Sequence, residues 1–240
     1  METLATAAAA SALMSMQLVP RHLHVSRDHR PGALSAAGGF AVAYVFLRLL
    51  PDLATRTDLG AGAEMLPFTE ADGHFLALMG LAAFYGLERM ARAASQRHGD
   101  SSPASSEPRV AAVMLVAFAL YYALIGYLLW DRADGPLSGL VTYTLAMGVH
   151  FLSVDVGLRE RHREFYASTG RWVLVGAILL GWMTGAWVTV PEAVLAGMRS
   201  LLVGGVVLIT LQEELPPERD GRWLPFAGGI AAATLLLAPL

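Results

Sequence analysis

The chain of 240 residues has no cysteine. Disulfides and Cys-ligated zinc or iron–sulfur centres are therefore excluded. Lysine is missing too, and all 17 basic residues are arginine, which reads as the base composition of a GC-rich genome and not as function. Charge of either sign is scarce. Asp, Glu, Lys and Arg make up 15% of the chain, where a soluble domain carries about 25%. The net charge of −3 gives no electrostatic footprint for nucleic acid. Phosphate-binding loops, nucleophile constellations and paired general acids and bases are all lacking, so no enzyme and no cofactor are expected. No polar stretch is long enough to bury a core of its own, so a second, soluble domain is not expected either.

What is present in quantity is apolar sequence: 55% of the residues are hydrophobic and the mean hydropathy is +0.50. Long apolar runs in such a chain predict an all-α integral membrane protein. Eight transmembrane helices are expected, at about 4–19, 32–50, 74–90, 110–130, 137–158, 172–190, 192–215 and 223–240, in one domain covering 1–240. The first run lacks the basic start of a secretory signal and is kept as a helix. The third and fourth runs are separated by a Ser/Pro-rich polar segment, 91–109.

The arginines check this count, because cytoplasmic loops collect them. Thirteen fall in the odd-numbered loops: Arg21, Arg27, Arg30, Arg89, Arg92, Arg97, Arg109, Arg159, Arg161, Arg163, Arg171, Arg219 and Arg222. Three fall in the even-numbered regions: Arg56, Arg132 and Arg199. The alternation supports eight spans with both termini outside, in a bacterial inner membrane, with the lipid bilayer as the first partner. Span two reads Gly38-Gly39, an apolar run, then Leu50-Pro51-Asp52. Span seven reads Gly204-Gly205, an apolar run, then Leu215-Pro216-Pro217-Glu218. On the arginine topology these two helices run in opposite directions, the mark of an inverted repeat, with Gly39 set against Gly205 and Pro51 against Pro216.

Within the fifth span His150 sits a little past the middle, followed by Ser153 and Asp155. An ionisable group at that depth must face a partner or water. One reading is a neutral core histidine hydrogen-bonded to Tyr121, Tyr122 or Ser153; the other is a ligand or proton carrier. Asp155 lies about 140° round the helix from His150 and shares a face with Arg159 four residues on, which reads as a structural ion pair. Arg48 with Asp52, and Glu88 with Arg92, repeat that spacing at span ends. Arg199 either snorkels outward or pairs with Glu192 or an acid of the second loop. Gln212, Glu213 and Glu214 close span seven and read as solvated, with a gate as the alternative. His22, His24 and His29 read as headgroup-level loop residues. Tyr121, Tyr122, Trp130, Trp172 and Trp223 read as belt or packing residues, and the Gly pairs, Gly228-Gly229 included, as close helix contacts.

Eight spans, outside termini, the polar loop after span three and the Leu-Pro-acid endings of spans two and seven resemble the ZIP family of divalent-metal transporters. The resemblance implies a three-plus-two-plus-three bundle. Spans one to three and six to eight would be inverted repeats, and spans four and five would carry the metal centre. The family's fourth span reads His-Asn-x-x-(Asp/Glu)-Gly; the matching Tyr121-Tyr122-Ala123-Leu124-Ile125-Gly126 keeps the glycine. Its fifth reads His-Glu-x-Pro-Glu; the matching His150-Phe151-Leu152-Ser153-Val154 keeps the histidine. A divalent ion leaving water needs carboxylate and imidazole ligands, and one imidazole is no such site. No bound metal is expected. The expected role is a non-transporting scaffold, regulator or subunit of a membrane complex, with other membrane subunits or a second copy as partners. The alternative is transport of a divalent metal or another solute through a non-standard site at His150, Ser153, Tyr121 and Tyr122.

Overall fold

The computed structural model describes residues 2–18, 30–56, 70–97, 108–161, 169–214 and 222–237. Among these it contains helices and short connections only. The helices are α1 (Glu2–Leu18), α2 (Arg30–Tyr44), α3 (Leu50–Arg56), α4 (Glu70–Arg97), α5 (Pro108–Ala133), α6 (Leu137–Arg161), α7 (Arg171–Trp187), α8 (Glu192–Ile209) and α9 (Trp223–Leu237). A π-helical turn, Val45–Leu49, joins α2 to α3, and a second, Thr210–Glu214, extends α8. With α2 and α3 taken as one rod, eight rods are present. Three segments are long and apolar enough to cross a membrane: Ser35–Ala54, Ala112–Ala133 and Glu192–Gln212. Shorter apolar helices cover Gly73–Leu87, Leu137–Leu152, Arg171–Trp187 and Trp223–Leu237.

The boundaries differ from those expected at three informative places. Leu50-Pro51 does not end the second rod, which continues to Arg56. Proline has no N–H for the helical ladder. Here the ladder has already slipped by one: the Leu50 N–H donates to the Val45 carbonyl, five residues back, and Pro51 follows in the first turn of a restarted helix. The fifth helix does not stop at Trp130 but runs to Ala133, up to the breaker pair Gly135-Pro136. Asp131 and Arg132 therefore belong to its last turn and not to a loop. The third span is also longer than expected: α4 covers Glu70–Arg97 and not 74–90, so the first part of the segment expected as a polar loop, Ala91–Arg97, is helical, because nothing before Gly99 breaks the helix. At the end of α7, Val188–Val190 lie outside the helix.

The three most extensive interfaces are α5·α7, α2·α9 and α4·α8. Each is a parallel pair in which glycine brings backbone onto backbone. A methyl on Gly39 would collide with the Phe226 carbonyl, and one on Gly229 with the Ala36 carbonyl. Gly204 and Gly80 stand in the same relation to Ala77 and Leu201, and Gly181 and Gly126 to Ala123 and Ile178. Parallel order follows from the register. Along α5 and α7, Ala123 meets Gly181 and Tyr127 meets Gly185; along α4 and α8, Leu76 meets Gly197 and Phe84 meets Gly205. By contrast α6 returns antiparallel to α5, with Tyr143 bonded to Ile125 and His150 to Tyr121. Asp52 at the end of α3 meets Arg132 at the end of α5 and shares a cavity with the first turns of α8. Thus α2, α5, α7 and α9 point one way and α4, α6 and α8 the other, so each rod from α2 onward reverses the one before it.

The α2·α9 contact is reproduced by α8·α4. Gly204 lies 165 positions after Gly39, Leu201 lies 165 after Ala36, and the second π-turn starts 165 after the first. On the partner helices, Phe226, Gly229 and Ile230 lie 149 positions after Ala77, Gly80 and Leu81. Pro51 and Pro216 also differ by 165. Gly39 therefore corresponds to Gly204 and not to Gly205. Gly205 instead leaves room for the rings of Phe84 and Tyr121.

Gly39→Ala or Gly204→Ala forces a methyl against a neighbouring carbonyl, and overpacking of this kind costs roughly 1–3 kcal/mol. Gly86 and Gly228 have open space at the same position. Thermal unfolding in detergent should show a clear fall in Tm for the first two variants and none for Gly86→Ala or Gly228→Ala.

Candidate functional site

Two polar assemblies stand out, one buried at the middle of the bundle and one half-buried at the end where α3 and α5 stop and α8 begins. The middle is built on matching stripes. On α6 the buried positions Leu140, Tyr143, Met147, His150 and Val154 recur at three and four residues, and on α5 the stripe is Tyr121, Tyr122, Ile125, Leu128 and Leu129. His150 thus occupies a core position between Met147 and Val154 and is 1% exposed. Its Nε2 and the Tyr121 hydroxyl share a hydrogen bond of 3.0 Å, with the hydroxyl as donor when Nε2 carries no proton. Tyr122 stacks on Phe151 with centroids 4.0 Å apart and donates its hydroxyl to Gln17 Oε1 of α1 at 3.3 Å. Phe84 of α4 packs its edge on Tyr121 at 5.1 Å. Ile125 and Val154 are buried beside them. The volume between α5 and α6 is occupied by rings and aliphatic chains, with each polar tip directed at another polar group.

The structure brings Tyr121 and His150 together and sets Tyr122 beside them through Phe151. Ser153 and Arg159 lie on α6, but their side chains fall outside the described residues, as do those of Glu88, Arg92, Glu213 and Glu214 and the whole of the loop with His22, His24 and His29. Asp155 is fully buried one turn beyond Phe151, and Arg171 is buried at the start of α7. Gln212 is exposed. Of the aromatic residues expected at belts, Trp172 and Trp223 are exposed, whereas Trp130 stacks on Trp182 and donates to its carbonyl. Among the described residues no three His, Asp or Glu side chains come together as a metal site.

The second assembly is an ionic layer. Arg132 donates to Asp52 Oδ2 at 2.7 Å, and its guanidinium lies 5.4 Å from the ring centroid of Tyr143. Tyr143 is itself fixed by donating to the Ile125 carbonyl. Arg199 makes a two-point contact with Asp131, Nε to Oδ2 at 3.0 Å and Nη2 to Oδ1, and also bonds Glu192 at 2.8 Å. The planar fork of arginine suits this arrangement. The Arg199 and Asp131 side chains are only 11% and 7% exposed. Between the pairs lies a small cavity of about 20 Å³, room for a water, lined by Leu49, Asp52, Leu53, Arg132, Ala196, Arg199, Ser200 and Val203.

One expectation changes here: Asp52 pairs across the bundle with Arg132 and not with Arg48. For Arg199 the second of its two readings holds, since it pairs with Glu192 and does not snorkel, and Asp131 is an added partner. Asp131 and Arg132 were missed from the sequence because a charged pair after Trp130 reads as a loop. The usable signal was the absence of any helix breaker before Gly135-Pro136.

Removing one member of a fully buried ion pair costs about 3–5 kcal/mol. Asp52 and Arg132 are half-buried, with side chains 21% and 12% exposed, so Asp52→Leu and Arg132→Leu should each lower stability by less than that, and the double variant by less than the sum; chemical denaturation of the four proteins gives the coupling. Tyr121→Phe should cost roughly 1–3 kcal/mol for the His150 nitrogen left without its hydroxyl. In comparison with known proteins, the chain matches no family model and no curated protein sequence.

Proposed function

We propose that this chain is an eight-span membrane protein of the ZIP-type three-plus-two-plus-three plan. In this reading its centre has become packing, and it serves as a non-transporting scaffold, regulator or subunit of a membrane complex in a bacterial inner membrane. The observation that carries this reading is the Tyr121–His150 hydrogen bond inside a filled aromatic core. A hydrated ion needs a polar path and several anionic or imidazole ligands. Here the volume between α5 and α6 holds Tyr122, Ile125, Phe151 and Val154, all at most 2% exposed.

The three-plus-two-plus-three plan is supported by the shared offsets of the α2·α9 and α8·α4 contacts while α2 and α8 run in opposite directions. A membrane setting is supported by the three long apolar segments and by large apolar side chains that face outward, such as Leu120, Leu180 and Leu235 at 69%, 63% and 77% exposure. Such a surface is foreign to a soluble monomer. Outside termini are supported by the arginine distribution.

Purified protein in liposomes loaded with a metal-sensitive dye, challenged with zinc, cadmium, manganese and ferrous iron, should give no saturable influx above protein-free liposomes. Saturable influx that disappears in His150→Ala would overturn this function. Orientation is checked separately in the cysteine-free chain: an impermeant thiol reagent applied outside should label Thr69→Cys and spare Ser95→Cys. The opposite result reverses the topology.

A further inference from the structure

The ionic layer does more than fill the end of the bundle. Its two arginines connect helices that are otherwise in slight contact. The interfaces of α5 with α8 and of α3 with α8 are small beside the glycine-mediated pairs α5·α7, α2·α9 and α4·α8. Backbone contact binds each of those pairs; between pairs, apolar contacts such as Phe84 on Tyr121 act at the middle, and side-chain charge acts at this end. Asp52 and Arg132 join the α2–α3 rod to α5, and Asp131 and Arg199 join α5 to α8. All four groups lie within the long apolar segments, and the cavity lies directly among them.

We propose that Asp52–Arg132 and Asp131–Arg199 form a latch that holds this end of the bundle shut, and that releasing it lets water and small hydrophilic molecules enter the cavity between α3, α5 and α8. The latch rests on the bundle spanning a membrane and not on whether metal is carried. The physical ground is the partial burial of the charges at the segment ends: the Arg132, Arg199 and Asp131 side chains are 12%, 11% and 7% exposed. Shielded to this extent, each guanidinium is held best by a carboxylate at contact distance. While the pairs are made, the helix ends stay together. When one partner loses its charge, the other is better stabilised by water, and more water reaches it if the ends separate. Glu192 modulates the device: it is the exposed third member and holds Arg199 from the solvent side, its side chain 72% exposed.

Ser200 lines the cavity, is 2% exposed, and donates its hydroxyl along its own helix to the Ala196 carbonyl. As the chain has no native thiol, Ser200→Cys is a clean sensor. In lipid nanodiscs, where both ends are accessible, it is treated with a small charged thiol reagent. The parent sensor should react slowly, and adding Arg132→Gln or Arg199→Gln should accelerate labelling by about tenfold or more. A buried control, Ala177→Cys on α7 (6% exposed), should not change. The charge exchange Asp52→Arg with Arg132→Asp should return the sensor towards its parent rate. Unchanged labelling in the arginine variants overturns the latch. So does an equal rise at Ser200→Cys and Ala177→Cys, which marks general loosening. If the arginine variants fail to fold, Glu192→Gln decides, because it leaves the Asp131 pair in place: a rise of a few fold at the sensor alone supports the latch, and no rise overturns it.

Discussion

Backbone contact at glycine is the constraint on which the bundle depends. In the membrane setting proposed for it, a protein that turns Leu120, Leu180 and Leu235 outward would gain nothing by hiding its apolar side chains from lipid, because lipid tails are as apolar as leucine. Cohesion must then come from close packing, and the closest packing available to helices has no Cβ in the way. Gly39 with Gly229, Gly80 with Gly204, and Gly126 with Gly181 supply it. The parallel order of each pair follows from connectivity, since rods that reverse at every loop leave like-directed rods to be matched across the bundle.

Polar groups inside this frame are handled in two ways, and the contrast separates the centre from the end. At the centre the contacts are few: a phenol on an imidazole, a phenol on an amide. Each hydrogen bond there is worth little net but would be costly to leave unmade. At the end the groups are fully charged and arranged so that no arginine depends on a single contact; Arg132 has a carboxylate and a ring, Arg199 two carboxylates. The first arrangement fills a packed core. The second holds a defined geometry where α3, α5 and α8 meet with little other contact.

The parts that could be read from the sequence were those governed by local pattern. Apolar runs located the helices, and the alternation of arginines agrees with the alternation of helix direction. Of the candidate partners for His150 named from its position in the span and the aligned motifs, Tyr121 meets it in space. What could not be read depends on long-range geometry. Asp52 and Arg132 are 80 residues apart and Asp131 and Arg199 are 68 apart, so no local spacing rule connects them, whereas the nearby Arg48 offered a plausible partner by the i, i+4 rule. The end of a helix was misplaced wherever a local stop signal was overridden or a real one lay further on, at Pro51 and after Trp130. A one-residue error in the repeat, Gly205 for Gly204, arose because a glycine pair alone does not say which member meets the backbone.

The π-turn at Val45–Leu49 has a consequence for heredity of the fold. A π-turn equals an α-helix with one residue inserted, and each added residue rotates everything beyond it by about 100°. The rotation aims Asp52 at α5, where Arg132 stands, and the slipped ladder admits Pro51 without breaking the rod. A single-codon deletion in this segment would leave the composition, apolar length and hydropathy of the rod nearly unchanged, yet it would turn Asp52 away from its partner. Reading frame at the scale of one amino acid, more than the identity of any neighbouring side chain, is therefore what this rod must preserve, and the same holds for its counterpart at Thr210–Glu214.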